Sequence, residues 1–235
     1  MWLIYLCVSA RTMTAKDDIF ATFDAKHALL ICTCDDRLQT TFSTPTITYL
    51  QNLSMTDASS IQLETERLIL RPTQAEDWPF ARDFLMCEDT MRHLGGHQQE
   101  SDAWRTLAQW IGLWSLTDAA MFGVVEKVSG EWIGRIGPWH PLHWPTREVG
   151  WGLRKAYWGK GYALEAAAAS LDYAFDELGW DSVTHLIADE NVMSQKLAER
   201  LGSKPGEYVH LPGSLSDVRL CVWSQTKEDW IRSKN

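Results

Sequence analysis

From residue 61 onward, short runs of branched apolar residues alternate with longer stretches in which apolar positions return every three or four residues. Arg67-Leu-Ile-Leu-Arg71 reads as an opening strand that stops at Pro72, which has no N–H to offer a sheet ladder. Asp77 and Pro79 then mark a helix start, with Trp78, Ala81, Phe84 and Leu85 on one face. Ser101 marks the cap of a second helix, in which Trp104, Leu107, Ala108, Ile111 and Trp114 recur at helical spacing. Met121–Val128 and Glu131–Ile136 flank Ser129-Gly130 as a hairpin, and Glu148–Leu153 is the next strand. A helix from about Lys160 to Leu178 carries a stripe of Leu164, Ala168, Leu171, Phe175 and Leu178 and ends at Gly179. A strand at Val183–Ala188, a helix near Val192–Leu201, and strands near Tyr208–His210 and Val218–Ser224 complete an α+β pattern without internal repeats.

Residues 1–54 break this pattern. Trp2-Leu-Ile-Tyr-Leu-Cys-Val8 is apolar, but no Lys or Arg precedes it as a secretory signal requires, and the Ser, Thr and Asp that follow show no period. Two readings stand: a non-native or disordered extension ahead of a true start at Met55, or a genuine amphipathic extension or cleaved leader. The first is the expectation adopted, which leaves residues 55–235 as one domain.

Composition narrows the partners. The formal charge of −9 opposes general nucleic-acid affinity, which rests on Lys and Arg displacing counterions. No apolar run reaches the length of a membrane span. The five cysteines are odd in number and scattered, which fits a reducing compartment and a cytoplasmic location. Cys32-x-Cys34 has no second pair nearby and reads as two free thiols rather than a zinc site. Monomer and homodimer both remain open.

The chemistry concentrates in Glu148-Val-Gly-Trp-Gly-Leu-Arg-Lys-Ala-Tyr-Trp-Gly-Lys-Gly-Tyr-Ala163, a strand, a glycine turn and a helix start. The first-turn N–H groups of a helix have no internal partner, and the helix dipole adds partial positive charge there. Gly159 and Gly161 let a phosphate reach the backbone without a Cβ in the way. A P-loop is excluded because Tyr162 follows Gly161 where Ser or Thr would hold magnesium. The dinucleotide fingerprint fails because Leu164 stands where its third glycine belongs.

What remains resembles the acetyl-CoA loop of the GNAT N-acetyltransferases, Gln/Arg-x-x-Gly-x-Gly/Ala, with Gly159 and Gly161 in place and Ala156 where Gln or Arg is usual. The order of Thr65–Pro72, this loop, and Ser182 through Asn191 to Ser194 matches that family over about residues 61–224. Tyr157-Trp158-Gly159-Lys160-Gly161-Tyr162-Ala163 and Asn191-x-x-Ser194 are similar to the branch that includes ribosomal-protein N-terminal acetyltransferases. The resemblance implies a three-layer fold, a mixed and mostly antiparallel sheet flanked by helices, with a splayed acetyl-CoA cleft. It also implies transfer of an acetyl group to a primary amine, on a small molecule or a protein N-terminus, by direct attack and without a metal. The rival reading is a CoA-binding sensor or interaction module on the same fold.

Residue by residue, the resemblance assigns acetyl-CoA to Trp158, Gly159, Lys160, Gly161, Tyr162 and Ala163, with a backbone N–H near Gly152 or Leu153 for the thioester oxygen. Arg154, Lys155 and Lys160 either meet the phosphates or are solvated surface. Asn191 is expected to bond the pantetheine arm, to cap its helix, or both. Glu148 is the candidate base, its other reading being a surface carboxylate paired with Arg147. Ser194 is placed to orient or protonate the leaving sulfur, since the helix lacks the Tyr many relatives use. His140-x-x-His143, with Pro141 between and Trp139 and Trp144 around it, reads as a substrate loop rather than a metal site. Of the thirteen tryptophans, Trp139, Trp144 and Trp151 are candidates to line an acceptor pocket, Trp151 being better suited to the core.

Overall fold

The computed structural model describes residues 61–142, 144–211 and 218–234. Residues 1–54, the proposed start at Met55, Cys32-x-Cys34 and His143 lie outside the described residues.

Eight strands form one sheet: β1 (Leu63–Glu64), β2 (Leu68–Arg71), β3 (Phe122–Glu126), β4 (Trp132–Trp139), β5 (Glu148–Leu153), β6 (Ser182–Ala188), β7 (Lys204–Val209) and β8 (Leu220–Thr226). Their spatial order is β1-β2-β3-β4-β5-β6-β8-β7, and every neighbour pair is antiparallel except β5 with β6. The exception follows from connectivity, because the chain leaves β5 through a helix and must cross back to run parallel. The helices are α1 (Trp78–Met86), α2 (Glu88–Met91), α3 (Glu100–Leu113), α4 (Tyr162–Asp176), α5 (Val192–Arg200) and α6 (Lys227–Ser233). None of the described helices is long and apolar enough to cross a membrane.

Alternation along the strands supplies two cores. On one face α4 lays Ala166, Ala167, Leu171, Ala174 and Phe175 over β4 and β5, its alanines permitting close approach. On the other, Phe84 of α1 and Trp110 of α3 close on Trp132, with ring centroids 5.5 and 6.3 Å from it.

Several boundaries differ from the sequence expectations. Asp77 precedes α1 but does not cap it: its carboxylate takes both guanidinium nitrogens of Arg71 at 2.8 Å and the Gln74 N–H at 2.8 Å. Charge-assisted bidentate pairing outcompetes a cap bond. Ser101 lies inside the first turn of α3, which begins at Glu100 with Gln99 before it. The hairpin's second strand runs on to Trp139 because β5 continues to pair with it. The strand expected at Tyr208–His210 starts earlier, at Lys204, and bulges between Pro205 and Tyr208. Helix α4 starts at Tyr162, because Gly161 is left-handed at φ 82°. It ends at Asp176, two residues short of the expected Leu178, with the Glu177 and Leu178 N–H groups both on the Tyr173 carbonyl and Gly179 beyond at φ 64°.

Candidate active site

The parallel strands β5 and β6 meet only at Glu148 and Thr184, where the Thr184 N–H donates to the Arg147 carbonyl at 2.9 Å. Beyond that point side chains replace backbone pairing. The Glu148 carboxylate accepts from the Leu186 N–H, and the His185 ring donates through Nδ1 to the Val149 carbonyl at 2.6 Å. These two side chains wedge the strands apart. The Arg154 N–H donates to the Ile133 carbonyl, which fixes the alternation on the other edge of β5. Even-numbered residues of β5, Gly152 among them, bond to β4, while Val149, Trp151 and Leu153 turn their backbone groups toward the opening. The splayed cleft is therefore an unpaired strand edge, and the Leu153 carbonyl already accepts the Trp158 indole N–H at 2.7 Å.

At the end of β5 the turn delivers the backbone to the start of α4. Gly159 and Gly161 have φ of 73° and 82°, a region that sterics close to residues with a Cβ. No side chain caps α4, so the amides of its first turn point outward without a partner of their own. The loop is tied down by a residue the sequence did not single out. Arg67 donates to the Lys160 carbonyl at 3.0 Å, pairs with Glu165 at 2.6 Å, and lies 4.5 Å from the centre of the Tyr162 ring. Nothing in the local pattern around Arg67 marks it, since its partners lie 93 and 98 positions away.

The cations near the loop separate by what holds them. Arg154 pairs with Glu131 at 2.9 Å, and Lys155 pairs with Asp89. Lys160 lies over the Tyr157 ring, at 4.9 Å, and its charge acts through space on Glu126. Tyr162 donates its hydroxyl to Glu126, and Trp158 is exposed. Ala163 sits in the first turn of α4 and packs against the main core.

Across the opening, the Asn191 side chain caps α5 by accepting the Ser194 N–H at 3.2 Å. The Ser194 hydroxyl accepts the Trp151 indole N–H at 3.0 Å, which leaves its own proton free to point elsewhere. Trp151 in turn lies 4.6 Å from the His185 ring. His185 is fully enclosed; burial pushes it down to about 4, and its Nε2 accepts from the Ser203 hydroxyl at 2.9 Å. It is a neutral brace between β5 and the chain after α5.

A cavity of about 170 Å³ lies at the split, lined by residues of both strands. Trp151, Asn191 and Ser194 border it on the α5 side, and His93, Leu94, Arg135 and Trp139 on the side of α1–α3, with Glu148 at the junction. Trp139, Trp144 and Trp151 all line it. Burial pushes the Glu148 carboxyl up to about 7. The Trp144 indole N–H at 2.9 Å, the Leu186 N–H and the charge of Arg135 pull it back only in part. A carboxylate poised near neutrality inside a cavity can take a proton from an incoming group. Arg147, the surface partner considered for it, instead faces the Trp180 ring at 5.9 Å.

The profile of the acetyltransferase (GNAT) domain family matches residues 67–204. The chain is 30% identical over 167 residues to the uncharacterised N-acetyltransferase p20 of Bacillus licheniformis, covering 67% of this chain and 93% of that protein. Among solved structures, the acetyltransferase from Agrobacterium tumefaciens strain C58 matches with a TM-score of 0.63 at 29% identity, over 71% of this chain and 95% of that one. The ribosomal-protein-S5-alanine acetyltransferase from Vibrio fischeri shares the fold with a TM-score of 0.57 at 20% identity, over 72% and 98% of the two chains.

Proposed function

The chain belongs to the acetyltransferase (GNAT) family, and on that premise we propose that it moves an acetyl group from acetyl-CoA to a primary amine, on a small molecule or a protein N-terminus, by direct attack of the amine. The observation that carries the reading is the buried Glu148 carboxyl, pushed up to about 7, in the lining of a cavity beside the unpaired edge of β5.

Acetyl-CoA supplies an activated acyl group as a thioester. The residues present fit such a molecule. The bare first-turn amides of α4, approached past Gly159 and Gly161, suit a pyrophosphate, with Lys160 adding positive charge and Arg67, paired with Glu165, holding the Lys160 carbonyl in place. The backbone groups of Trp151 and Leu153 on the open edge suit the amide groups of a pantetheine arm, as a sheet edge suits an added strand. Of the two amides considered for the thioester oxygen, that of Leu153 faces the opening, whereas that of Gly152 is directed to β4. Glu148 accepts the proton that the attacking amine must lose, directly or through water. Ser194, with Trp151 on its acceptor lone pair, has a hydroxyl proton to direct at the leaving sulfur, and positioning suits so weak an acid better than full proton transfer.

The test is a mass-spectrometric screen with acetyl-CoA against small amines and peptide N-termini, read together with thiol release. Acetylated product with matching thiol release supports the enzyme. Tight acetyl-CoA binding with no product from any amine would replace it with the sensor reading.

A further inference from the structure

Arg135 is the one charged side chain of the cavity whose chemistry the reaction above leaves unused. It stands on β4 opposite Gly152, and its guanidinium carbon lies 4.6 Å from the centre of the Trp110 ring and 5.5 Å from that of Trp139. Among the described residues no carboxylate or carbonyl accepts from it, although it borders the cavity. Glu148 attracts it through space without forming an ion pair. Aromatic faces attract a cation, but they do not replace acceptors for the five in-plane N–H groups of a guanidinium. The side chain is half-buried and borders the cavity without a protein acceptor; burial lowers its pKa to about 10, so the group is charged at neutral pH. A half-buried cation that borders a cavity and has no protein acceptor is a ready partner for an entering anion.

The space beside it is bounded by Met121 and Phe122, which pack over the glycines between Arg135 and Glu148. Trp139 sits four residues along β4 and pairs with Glu148, so a guanidinium leaning toward Trp139 leans toward the candidate base. Between them the facing residues Gly137 and Gly150 carry no side chain, and a Cβ on Gly150 would strike Met121 and come within 3.4 Å of the Glu148 carboxylate.

We infer that Arg135 is the anion-recognising, specificity-determining residue of the acceptor site, and that the acceptor is a small amine that also carries a carboxylate, as an amino acid does. This rests on the acetyltransfer reading in that the amine end is the end at Glu148. A planar carboxylate matches the guanidinium fork with two parallel hydrogen bonds. A phosphate dianion fits less well, because Glu148 would repel its second charge.

The experiment is calorimetric titration of the full chain, with and without CoA, using N-acetylglycine, N-acetyl-L-leucine and N-acetyl-L-phenylalanine, each beside its C-terminal amide. These probes lack the free amine, so differences in amine basicity play no part. At least one carboxylate is expected to bind roughly tenfold tighter than its amide. That advantage should vanish in Arg135→Gln and return in part in Arg135→Lys. Equal affinities in every pair, no binding by any probe, or an advantage that survives Arg135→Gln would overturn the inference. The wild-type comparison alone decides the matter if the variants fold poorly. Carboxylate-selective binding without acetyl transfer to any amine would sink the enzyme reading and leave Arg135 as the anion-recognising residue of the cavity; transfer without carboxylate preference would leave the enzyme reading and overturn the role given to Arg135.

Discussion

Replacing Glu148 by glutamine removes a charge the fold accommodates badly, and the pH dependence of stability should reveal it. In the unfolded chain the carboxyl ionises near its ordinary 4.5; folded, burial moves it to about 7. Below pH 4.5 it is protonated in both states and contributes nothing. As pH rises through the window between the two values the unfolded chain releases the proton first, so native stability falls, and the loss is complete above pH 7. A displacement of that size corresponds to about 3 kcal/mol. His185 runs the other way in the same window, because burial lowers it from 6.5 to about 4 and the native state gains stability as pH rises. The wild-type curve alone should therefore look nearly flat. The difference between Glu148→Gln and wild type isolates the glutamate, since pH-independent changes in packing or hydrogen bonding drop out of its slope. Urea unfolding of both proteins from pH 4 to pH 8.5 should show the variant gaining about 3 kcal/mol relative to wild type across the range, or roughly 6–12 °C in melting temperature for a domain of this size. In parallel, wild-type kcat/KM should rise with pH through an apparent value near 7, and the variant should lose that rise along with most of its turnover. A stability difference that stays constant with pH would mean that the carboxylate is not held near neutrality, and the argument for Glu148 as the base would lose its footing.

Three further outcomes are expected. Gly161→Val, at φ 82°, strains the turn and brings a side chain against Arg67, 3.3 Å from the ideal Cβ, so CoA affinity should fall at least tenfold, or ~1.4 kcal/mol, by calorimetry; normal CoA binding by the folded variant would refute the phosphate-loop assignment. Trp144→Phe removes the indole N–H at 2.9 Å that favours the charged form of Glu148, so the rise of kcat/KM should move to higher pH, and an unmoved profile would deny that contact its role. Asn191→Ala deletes the cap on α5 and should cost about 1 kcal/mol in unfolding free energy. If Asn191 also bonds the cofactor, CoA affinity falls with it, whereas unchanged affinity confines it to capping.

The sequence by itself determined what depends on neighbouring residues. The strand–turn–helix order of residues 148–176, the helix stop at Gly179 and the cap at Asn191, one of the two roles read for it, were legible, because backbone sterics and first-turn hydrogen bonds act within a few positions; of Gly159 and Gly161 the sequence showed the missing Cβ and not the positive φ. The apolar periodicities likewise marked most of the strands and helices before any register was known. It missed where a nearby competitor changed the outcome, as when Arg71 drew Asp77 away from capping α1. Tertiary structure alone decided the condition of the charges. Glu148 is a wedge near pH 7 and not a surface carboxylate because β6 brings the Leu186 N–H and Trp144 brings its indole to a group that packing has removed from water. Arg135 lies among Trp110, Trp139 and a cavity through the register of β4 with β5 and the packing of α3, and Arg67 reaches the glycine turn at 159–161 only because the sheet and α4 converge. Desolvation and through-space attraction are set by whatever distant segments happen to pack against a side chain, and no local pattern records them.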